Sequence, residues 1–337
     1  MTEVGTLLVT GAPGWFTSRF LQSILEQPLP GQGRVSCLVD SHLPGTEKEL
    51  RASVGADVTI VRGNLTDPAS LREATAGVTT IVHAAGVIHV RRIHDYFDVN
   101  TQGTFNLADA AVANGVRRIV YLSTNAAGGR SAAAGTVLKE SDPSRPLSPY
   151  ARSKWLAEEA LRALADKIES VSLRPSMFYG APVPARHVDI YRKIQSGRMP
   201  LVGGGGFARS VTHVDNLVQA ARLACVRPEA VGQTYYIADE TPYTTRRIVD
   251  AMAAALGVTP RYLHLPSFAA TVAYDLDAFL SWMDFYVQPL HLLGEANWHV
   301  GLSIEKARAE LGYAPTIALE AGMQGAVDWC RAKGLLR

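Results

Sequence analysis

The sequence predicts an α/β protein with a doubly wound parallel sheet and a smaller C-terminal lobe. Short apolar runs alternate with helical runs through the first half of the chain, and a glycine turn follows the first apolar run directly. Strands that alternate with helices form right-handed βαβ units, in which neighbouring strands are parallel. The alternation loosens after residue 175, so we expect the smaller lobe to begin there.

The predicted strands are short apolar runs at residues 6–10, 34–39, 57–62, 79–82, 118–122, 171–175 and 233–238. The apolar spacing predicts helices at 18–26, 95–114, 151–165, 244–256 and 304–312. A further helix opens at Pro68 after a cap by Asp67 or Thr66, and another is capped by Asp215 or Asn216. The predicted division is a sheet domain at 1–175 and a lobe made mainly of 176–337, with residues near 208–240 returning to the sheet.

Composition and charge exclude several classes of protein. The 33 basic and 31 acidic residues are dispersed and leave a net charge of +2, which is not a nucleic-acid footprint. No run of about 18 uncharged apolar residues and no leader pattern is present, so we expect a cytoplasmic protein without a membrane span. Cys37, Cys225 and Cys330 are odd in number and far apart, which predicts neither disulfides nor a metal site.

The glycine turn is the first candidate binding site. Gly11 and Gly14 lie between strand 6–10 and the next helix, an arrangement that presents backbone N–H groups and a helix N-terminus to a pyrophosphate. Asp40 ends the second strand, where a carboxylate can bind ribose hydroxyls and repel a 2′-phosphate. The predicted cofactor is therefore NAD, although basic residues after Asp40 leave some room for NADP.

The second candidate site is Tyr150 with Lys154, four residues apart on one face of a helix that Pro149 opens. An ammonium beside a phenol favours the phenolate and suits tyrosine to acid or base chemistry. The spacing alone is common in helices whose tyrosine packs and whose lysine is solvated. The rest of the predicted fold supports a functional role for this pair. In a parallel sheet ligands bind at the carboxyl ends of the strands, and five candidate residues lie there: Gly11, Asp40, Asn64, Ala84 and Thr124.

Ordered motifs over almost the whole chain resemble the extended short-chain dehydrogenase/reductase family. They are Thr10-Gly11-x-x-Gly14-x-x-Thr17, Gly63-Asn64-Leu65-Thr66-Asp67, His83-Ala84-Ala85, Asn100-x-x-Gly103-Thr104, Tyr121-Leu122-Ser123-Thr124, Tyr150-x-x-x-Lys154, Leu173-Arg174-Pro175 with Tyr179-Gly180, and Lys306-Ala307-x-x-Glu310-Leu311-Gly312-Tyr313-x-Pro315. The resemblance implies a Rossmann-type fold with a substrate-binding C-terminal lobe. It also implies that Tyr150 is the acid/base, that Lys154 lowers its pKa and holds the nicotinamide ribose, and that Thr124 binds the reacting oxygen.

The same resemblance implies the cofactor-binding residues, which are Gly11, Gly14, Trp15, Phe16, Asp40, Asn64, Leu65, His83, Ala84, Ala85, Lys154 and Pro175. Two positions depart from the family pattern. Thr17 replaces a glycine used for close packing of helix on strand, so that helix is expected slightly farther out. Asn64 replaces an aspartate at the adenine, which keeps an acceptor and adds a donor.

The candidate substrate residues are Asn125, Ser176, Met177 and Arg209. Asn125 stands where related dehydratases carry a carboxylate, which disfavours dehydration. Arg209 matches an arginine that binds a diphosphate, or else it is a loop arginine paired to an acid. Met177 stands where many epimerases have asparagine. Aromatic residues after 262 either line an apolar pocket or belong to the core: Phe268, Tyr274, Phe279, Trp282, Phe285 and Tyr286.

Together these features predict an NAD-dependent oxidoreductase acting on a secondary alcohol or ketone, foremost a nucleotide-sugar epimerase. The alternatives are a dehydrogenase like the 3β-hydroxysteroid enzymes, or a sugar or 3-oxoacyl ketoreductase, each releasing the cofactor, and a non-catalytic cofactor sensor. The resemblance also implies a homodimer formed by the helices after Gly103 and Tyr150. Small residues there would allow close packing: Ala108, Ala110, Ala111 and Ala113.

Overall fold

The computed structural model describes residues 1–40, 42–43 and 45–336. The strands in these residues are β1 (Gly5–Thr10), β2 (Gln32–Asp40), β3 (Thr59–Gly63), β4 (Thr80–His83), β5 (Arg118–Leu122), β6 (Glu169–Pro175), β7 (Met177–Tyr179), β8 (Met199–Val202), β9 (Ala208–Arg209), β10 (Val211–His213), β11 (Thr234–Ile237), β12 (Tyr243–Thr244) and β13 (Tyr262–Leu265). Seven of them form the central sheet, and the other six form three separate pairs.

The α-helices are α1 (Trp15–Glu26), α2 (Thr46–Val54), α3 (Pro68–Thr75), α4 (His94–Tyr96), α5 (Gly103–Ala113), α6 (Pro149–Arg162), α7 (Ala185–Gln195), α8 (Val214–Val226), α9 (Thr245–Leu256), α10 (Ser267–Trp282), α11 (Gln288–Gly294) and α12 (Leu319–Ala332). Two π-helical turns span Phe97–Gln102 and Ala307–Leu311. The first joins α4 to α5, so the helix predicted at 95–114 is continuous but irregular.

The central sheet has the strand order β11-β6-β5-β4-β1-β2-β3, and every neighbouring pair is parallel. Strands β1 to β6 thus have the doubly wound order of dinucleotide-binding folds, with the reversal between β1 and β4. β11 adds a seventh strand beside β6. The predicted α/β fold with a Rossmann-type parallel sheet is confirmed.

Helices cover both faces of this sheet. On one face Phe20 of α1 and Leu217 of α8 are fully buried in one apolar cluster. On the other face Leu107 of α5 and Leu161 of α6 are fully buried in another. Burying each of these side chains contributes about 1.5–3 kcal/mol of apolar transfer free energy. With both faces covered, the carboxyl edge of the strands is left for ligands.

The smaller lobe has its own core, in which α7, α9 and α12 pack around buried residues such as Val188, Met252 and Met323. The chain leaves the sheet after β6, returns to it for α8 and β11, and leaves it again for α9. The lobe is therefore inserted around β11. Its role in binding substrate, and the division at residue 175, stay predictions.

Helix caps decide where two of the helices begin. Asp67 caps α3, because its carboxylate accepts from the Ala69 N–H at 3.1 Å, which confirms one of the two predicted caps. The predicted cap of α8 by Asp215 or Asn216 is wrong. The cap is His213, whose Nδ1 accepts from the Asp215 N–H at 3.2 Å, so the helix starts two or three residues earlier than a search for carboxylate or amide caps suggests.

Two further features bear on partners. Within the described residues, none of the helices combines the length and the apolar character that crossing a bilayer requires. The small residues Ala108, Ala110 and Ala111 are buried in the chain's own core against the sheet. Their side chains are therefore not available to a second copy, whereas the fourth small residue of the expected contact, Ala113, is exposed. The homodimer itself stays a prediction.

Candidate active site

The turn after β1 is built for close approach to the backbone. Gly11 has a φ of +87°, and a Cβ there would lie 2.6 Å from the backbone nitrogen of Ala85. Only glycine meets both demands. The Thr17 hydroxyl donates to the carbonyl oxygens of Gly11 at 2.9 Å and Gly14 at 3.1 Å. Thr17, which replaces the family's third glycine, therefore ties the turn to α1.

The predicted ribose carboxylate has an ordered partner. The Asn64 amide nitrogen donates to Asp40 Oδ1 at 3.0 Å, and the His42 N–H donates to the same oxygen at 2.9 Å. The Asn64 carbonyl oxygen in turn accepts from the Thr66 N–H at 2.8 Å. An aspartate at position 64 would repel Asp40, whereas the amide donates to it. The departure from the family pattern thus preserves the carboxylate's position at the end of β2.

Several predicted cofactor residues have side chains that are buried and already in contact with other parts of the protein. His83 is fully buried, with Nδ1 2.7 Å from the Thr10 hydroxyl and Nε2 3.0 Å from the Thr104 hydroxyl. Burial, with Lys154 adding to it, lowers the His83 pKa to about 3, so the ring is neutral. Leu65 is buried beneath Gly103. These residues shape the floor of the site, and Ala84 and Ala85 follow His83 beside the Gly11 turn.

The remaining predicted cofactor residues lie at two strand ends. Phe16 is buried and stacks on Phe20, so its ring faces the core. The Trp15 ring instead points toward the smaller lobe, 5.5 Å from the ring of Phe178 and 4.7 Å from that of His187. Pro175 ends β6 opposite Ile237 of β11. Trp15 therefore lies between the glycine turn and the lobe.

Tyr150 begins α6 at the centre of the candidate site. The helix opens at Pro149 and is capped by the Ser148 hydroxyl, which accepts from the Ala151 N–H at 3.3 Å. Burial raises the pKa of Tyr150 to about 12, while the Thr124 hydroxyl and the charge of Arg186 act in the opposite direction. The structure thus brings Thr124, just beyond β5, together with the phenol of Tyr150.

Lys154 lies one turn further along α6, buried beneath the site. Its Nζ is 4.2 Å from the centre of the Tyr121 ring, and the side chain is 4% exposed. Burial lowers the Lys154 pKa to about 7, and the carboxylate of Glu158 opposes this. The groups that lower the Tyr150 pKa here are Thr124 and Arg186. The predicted action of Lys154 on Tyr150 stays a prediction.

We expect Lys154→Met to stabilise the unliganded protein more at about pH 6 than at about pH 10, by about 1 kcal/mol or more. Below its folded pKa of about 7 the buried ammonium imposes its full cost, because both states are protonated. As the pH rises toward 10.5, only the unfolded chain keeps the proton, so the cost fades. Urea unfolding at both pH values, with the exposed Lys193→Met as control, measures the difference. Equal effects at both pH values would contradict it.

A buried ion pair supports this part of the site. Arg174 donates to Glu158 through Nε at 2.9 Å and through a terminal nitrogen at 2.6 Å, and both side chains are almost fully buried. The Ser123 hydroxyl also donates to Glu158. The pair connects β6, α6 and the end of β5 beneath Lys154. The motif around Arg174 is visible in the sequence, but its partner Glu158 is not.

Asn100 ties the loop after β4 to the helix of Tyr150. Its amide group exchanges two hydrogen bonds with the backbone of Val87, at 2.8 and 3.0 Å, and donates to the Ser153 hydroxyl at 3.1 Å. Ser153 in turn donates to the carbonyl oxygen of Tyr150 at 2.8 Å. This network holds the first turn of α6 against the Val87 loop, and so holds the Tyr150 backbone in place.

The four predicted substrate residues have different surroundings. Asn125 is half-buried directly after Thr124, and Met177 is 51% exposed. Ser176 is buried, with its hydroxyl 2.6 Å from that of Thr212, so it faces the interior. Arg209 donates to the backbone carbonyl of Glu295, and burial lowers its pKa. Asn125 and Met177 remain accessible, while Ser176 and Arg209 are already engaged.

Aromatic rings pack beside Tyr150 at the cleft. The Tyr96 ring, which is buried, lies 5.6 Å from that of Tyr150, and the Tyr286 ring meets Tyr96 edge-on at 5.9 Å. A cavity of about 320 Å³ opens beside the start of α6, and α10 and α11 line its far side with Tyr274 and the hydrogen-bonded pair Asp277–His291. Tyr274, Asp277 and His291 belong to the smaller lobe, where the sequence shows no regular alternation of strands and helices.

The late aromatic residues do not behave as one group. Tyr286 faces the cleft, and Tyr274 packs against Trp298 at 5.3 Å. Four others are mostly exposed on or after α10, namely Phe268 (69%), Phe279 (54%), Trp282 (81%) and Phe285 (51%). The alternative that these four residues belong to the core is therefore wrong, because one apolar face of α10 is exposed.

One group of side chains has metal-ligating atoms close together. His94 and Asp95 of α4 and Asp98 of the following π-helical turn place such atoms within 4.8 Å of one another. His94 Nδ1 already lies 2.9 Å from the carboxylate of Asp284. The group receives no metal assignment.

A family model described as the NAD dependent epimerase/dehydratase family matches residues 7–238, from β1 through β11. The chain belongs to this family. Its members are NAD-dependent enzymes, so the predicted enzyme class and the NAD cofactor are confirmed, as is the resemblance to extended short-chain dehydrogenases/reductases. The alternative of a non-catalytic sensor is set aside.

Individual members of the NAD dependent epimerase/dehydratase family are similar over nearly the whole chain. The uncharacterized protein y4nL of Sinorhizobium fredii is 37% identical over 97% of this chain and 96% of its own. A 2-alkyl-3-oxoalkanoate reductase of Stenotrophomonas maltophilia is 29% identical over 94% of this chain and 97% of its own. The structure of Thermus thermophilus UDP-glucose 4-epimerase with NAD is 25% identical, with a TM-score of 0.74 over 97% of this chain and 99% of its own.

Proposed function

We propose that this family member transfers hydride between NAD and a secondary alcohol or ketone, with Tyr150 as acid/base. The observation that carries the proposal is the placement of the Tyr150 phenol beside the Thr124 hydroxyl, at the edge of the sheet that also carries the Gly11 turn. When bound, the cofactor accepts or returns the hydride. Thr124 binds the substrate oxygen, and Tyr150 gives it a proton or takes one away.

The protonation state of Tyr150 bears on the direction. A pKa raised to about 12 keeps the phenol protonated at neutral pH, which suits donation of a proton to a carbonyl oxygen during reduction. In the oxidation direction Tyr150 must first lose this proton. Any cation near the phenol favours that loss. Reduction thus begins from the protonation state that Tyr150 already holds at neutral pH, whereas oxidation requires a deprotonation first.

We propose a ketone with an apolar body as the substrate, reduced with release of the oxidised cofactor. The sequence alone favours a nucleotide sugar, chiefly because of Arg209. That side chain already donates to the Glu295 carbonyl, whereas the Tyr150 ring has aromatic neighbours, with Tyr96 beside it and Tyr286 against Tyr96. Similarity over almost its full length to a 2-alkyl-3-oxoalkanoate reductase supports the same choice.

The second candidate is a nucleotide-sugar epimerase that keeps its NAD. Similarity to UDP-glucose 4-epimerase supports it, as does the place of Arg209 at the edge of the lobe, where a diphosphate would displace its bond to the Glu295 carbonyl. The two candidates share Tyr150 and differ in whether the cofactor leaves.

Two measurements on the purified protein separate the candidates. One follows NADH oxidation in the presence of 3-oxooctanoate, and the other detects any UDP-galactose formed from UDP-glucose. We expect NADH oxidation and no epimer, together with native mass spectra of a protein free of NAD. Epimer formation without net NADH oxidation, on a protein that retains NAD, would contradict the ketoreductase proposal and assign the second candidate.

A further inference from the structure

We infer that Arg186, assisted by His89, binds an anionic group of the substrate, a carboxylate close to the reacting carbon. The inference rests on the proposed function and names a substrate feature that the function alone does not require. Arg186 lies in the first turn of α7, and its side chain is exposed at the cleft. No carboxylate lies within ion-pair distance of it in the part of the chain that the structure describes.

Other arginines near the site differ in this respect. Arg174 is paired with Glu158, and Arg209 donates to a backbone carbonyl. On α7 itself, Arg192 is paired with Asp189 at 3.0 Å. An arginine that faces a substrate cleft without a counter-ion is left to pair with the ligand. Its planar guanidinium suits two parallel hydrogen bonds to a carboxylate.

The position of Arg186 is fixed by a neutral neighbour. Its guanidinium lies 3.4 Å from His89 Nε2, and the Gln288 amide nitrogen lies 3.4 Å from the same atom. Burial lowers the His89 pKa, and the charge of Arg186 adds to this, so the ring carries no charge near neutral pH. His89 therefore orients the guanidinium without neutralising it.

Successive ring contacts connect His89 to the reacting phenol. The His89 ring stacks on Tyr286 at 6.3 Å, Tyr286 meets Tyr96 at 5.9 Å, and Tyr96 lies 5.6 Å from Tyr150. Arg186 is also close enough to lower the Tyr150 pKa. Arg186 therefore lies on the side of Tyr150 that Tyr96, Tyr286 and His89 occupy.

This geometry limits the substrate class. We expect this carboxylate one or two carbons from the carbonyl, as in a 3-oxo acid, or on the carbon beside the carbinol, as in a uronic acid. The two sources share the anion and differ in the rest of the molecule. A carboxylate paired with Arg186 also offsets the charge that lowers the Tyr150 pKa, and so keeps the phenol protonated for reduction.

The test compares Arg186→Gln with Arg192→Gln, a matched change on the same helix. Each NADH-loaded protein, which cannot oxidise an alcohol, is titrated calorimetrically with 3-hydroxyoctanoate and with 2-octanol, which lacks the carboxylate. UDP-glucuronic acid and UDP-glucose form a second pair of probes. For one of the two carboxylate probes we expect Arg186→Gln to raise Kd about 10- to 100-fold. The Kd of the matching neutral probe should change by less than about twofold, and Arg192→Gln should change neither Kd.

The pair of probes that shows this selective loss identifies the source of the carboxylate. The inference is overturned if wild-type protein binds neither carboxylate probe better than its neutral partner. It is also overturned if Arg186→Gln weakens both members of a pair equally. Because the readout is binding, these outcomes leave the role of Tyr150 in turnover untouched, and turnover measurements on Tyr150 variants decide that role separately.

Discussion

Tyr150→Phe is expected to lower kcat by about 10²- to 10⁴-fold with the substrate on which the wild type turns over, the range that a positioned acid/base contributes. The change removes one hydroxyl and keeps the ring that packs against Tyr96 at 5.6 Å. The fold and NAD affinity should therefore be unchanged. Steady-state turnover together with equilibrium NAD binding measures both.

Tyr96→Phe is the matched control for this change. The Tyr96 hydroxyl donates to the Ile88 carbonyl at 2.8 Å and so has a structural partner, although its ring touches Tyr150. We expect it to retain turnover within about tenfold, since a neutral hydrogen bond contributes only about 1 kcal/mol. Unchanged turnover in Tyr150→Phe would mean that another group supplies the proton, and a larger loss in Tyr96→Phe would move that role to Tyr96.

Glu158→Gln is expected to have the largest effect on stability, a loss of about 3–5 kcal/mol in the free energy of unfolding. Glu158 is 1% exposed and is the ion-pair partner of Arg174, whose exposure is 3%. Without the carboxylate, a guanidinium stays buried without a counter-ion. The Lys154 pKa should fall as well, because Glu158 is the group that raises it.

Urea unfolding of three variants tests this expectation. Glu159→Gln, one position along α6, removes an exposed partner of Arg162 and should cost well under 1 kcal/mol. The double variant Glu158→Leu with Arg174→Met should recover much of the lost stability, because replacing both charges by apolar groups leaves neither unpaired. A small loss in Glu158→Gln, or a double variant less stable than either single one, would show that the pair does not act as described.

The parts of the fold that sequence can predict are those determined by neighbouring residues. β5 is predicted at 118–122 and observed at the same residues, because a short apolar run bounded by polar residues has few other structures open to it. Gly11 and Tyr150 likewise stand in local patterns, a strand with a glycine turn and a helix opened by proline. Such patterns depend on a few consecutive residues and can be identified without knowing the fold.

The remaining features depend on residues far apart in the chain. Arg186 approaches His89 across 97 positions, and Tyr286 reaches the cleft from a segment with no regular spacing. Ser176 follows a recognisable motif, yet its hydroxyl bonds Thr212 and not a ligand, because the register of β7 against β10 turns it inward. Packing between distant segments determines where these side chains lie, and that packing cannot be read from a single sequence.

The return of the chain to the sheet for β11 has a consequence for how the two parts of the protein can vary. β6 lies between β5 and β11, so a fragment that stops at 175 would leave one side of β6 unpaired and lose α8 from the covered face. The lobe therefore cannot be exchanged as a terminal module, as a domain at the end of a chain can. In this architecture a new substrate specificity has to arise from changes in the segments inserted between the strands of the sheet. The pairing of β11 with β6, which prevents exchange of the whole lobe, also keeps intact the sheet that positions Tyr150.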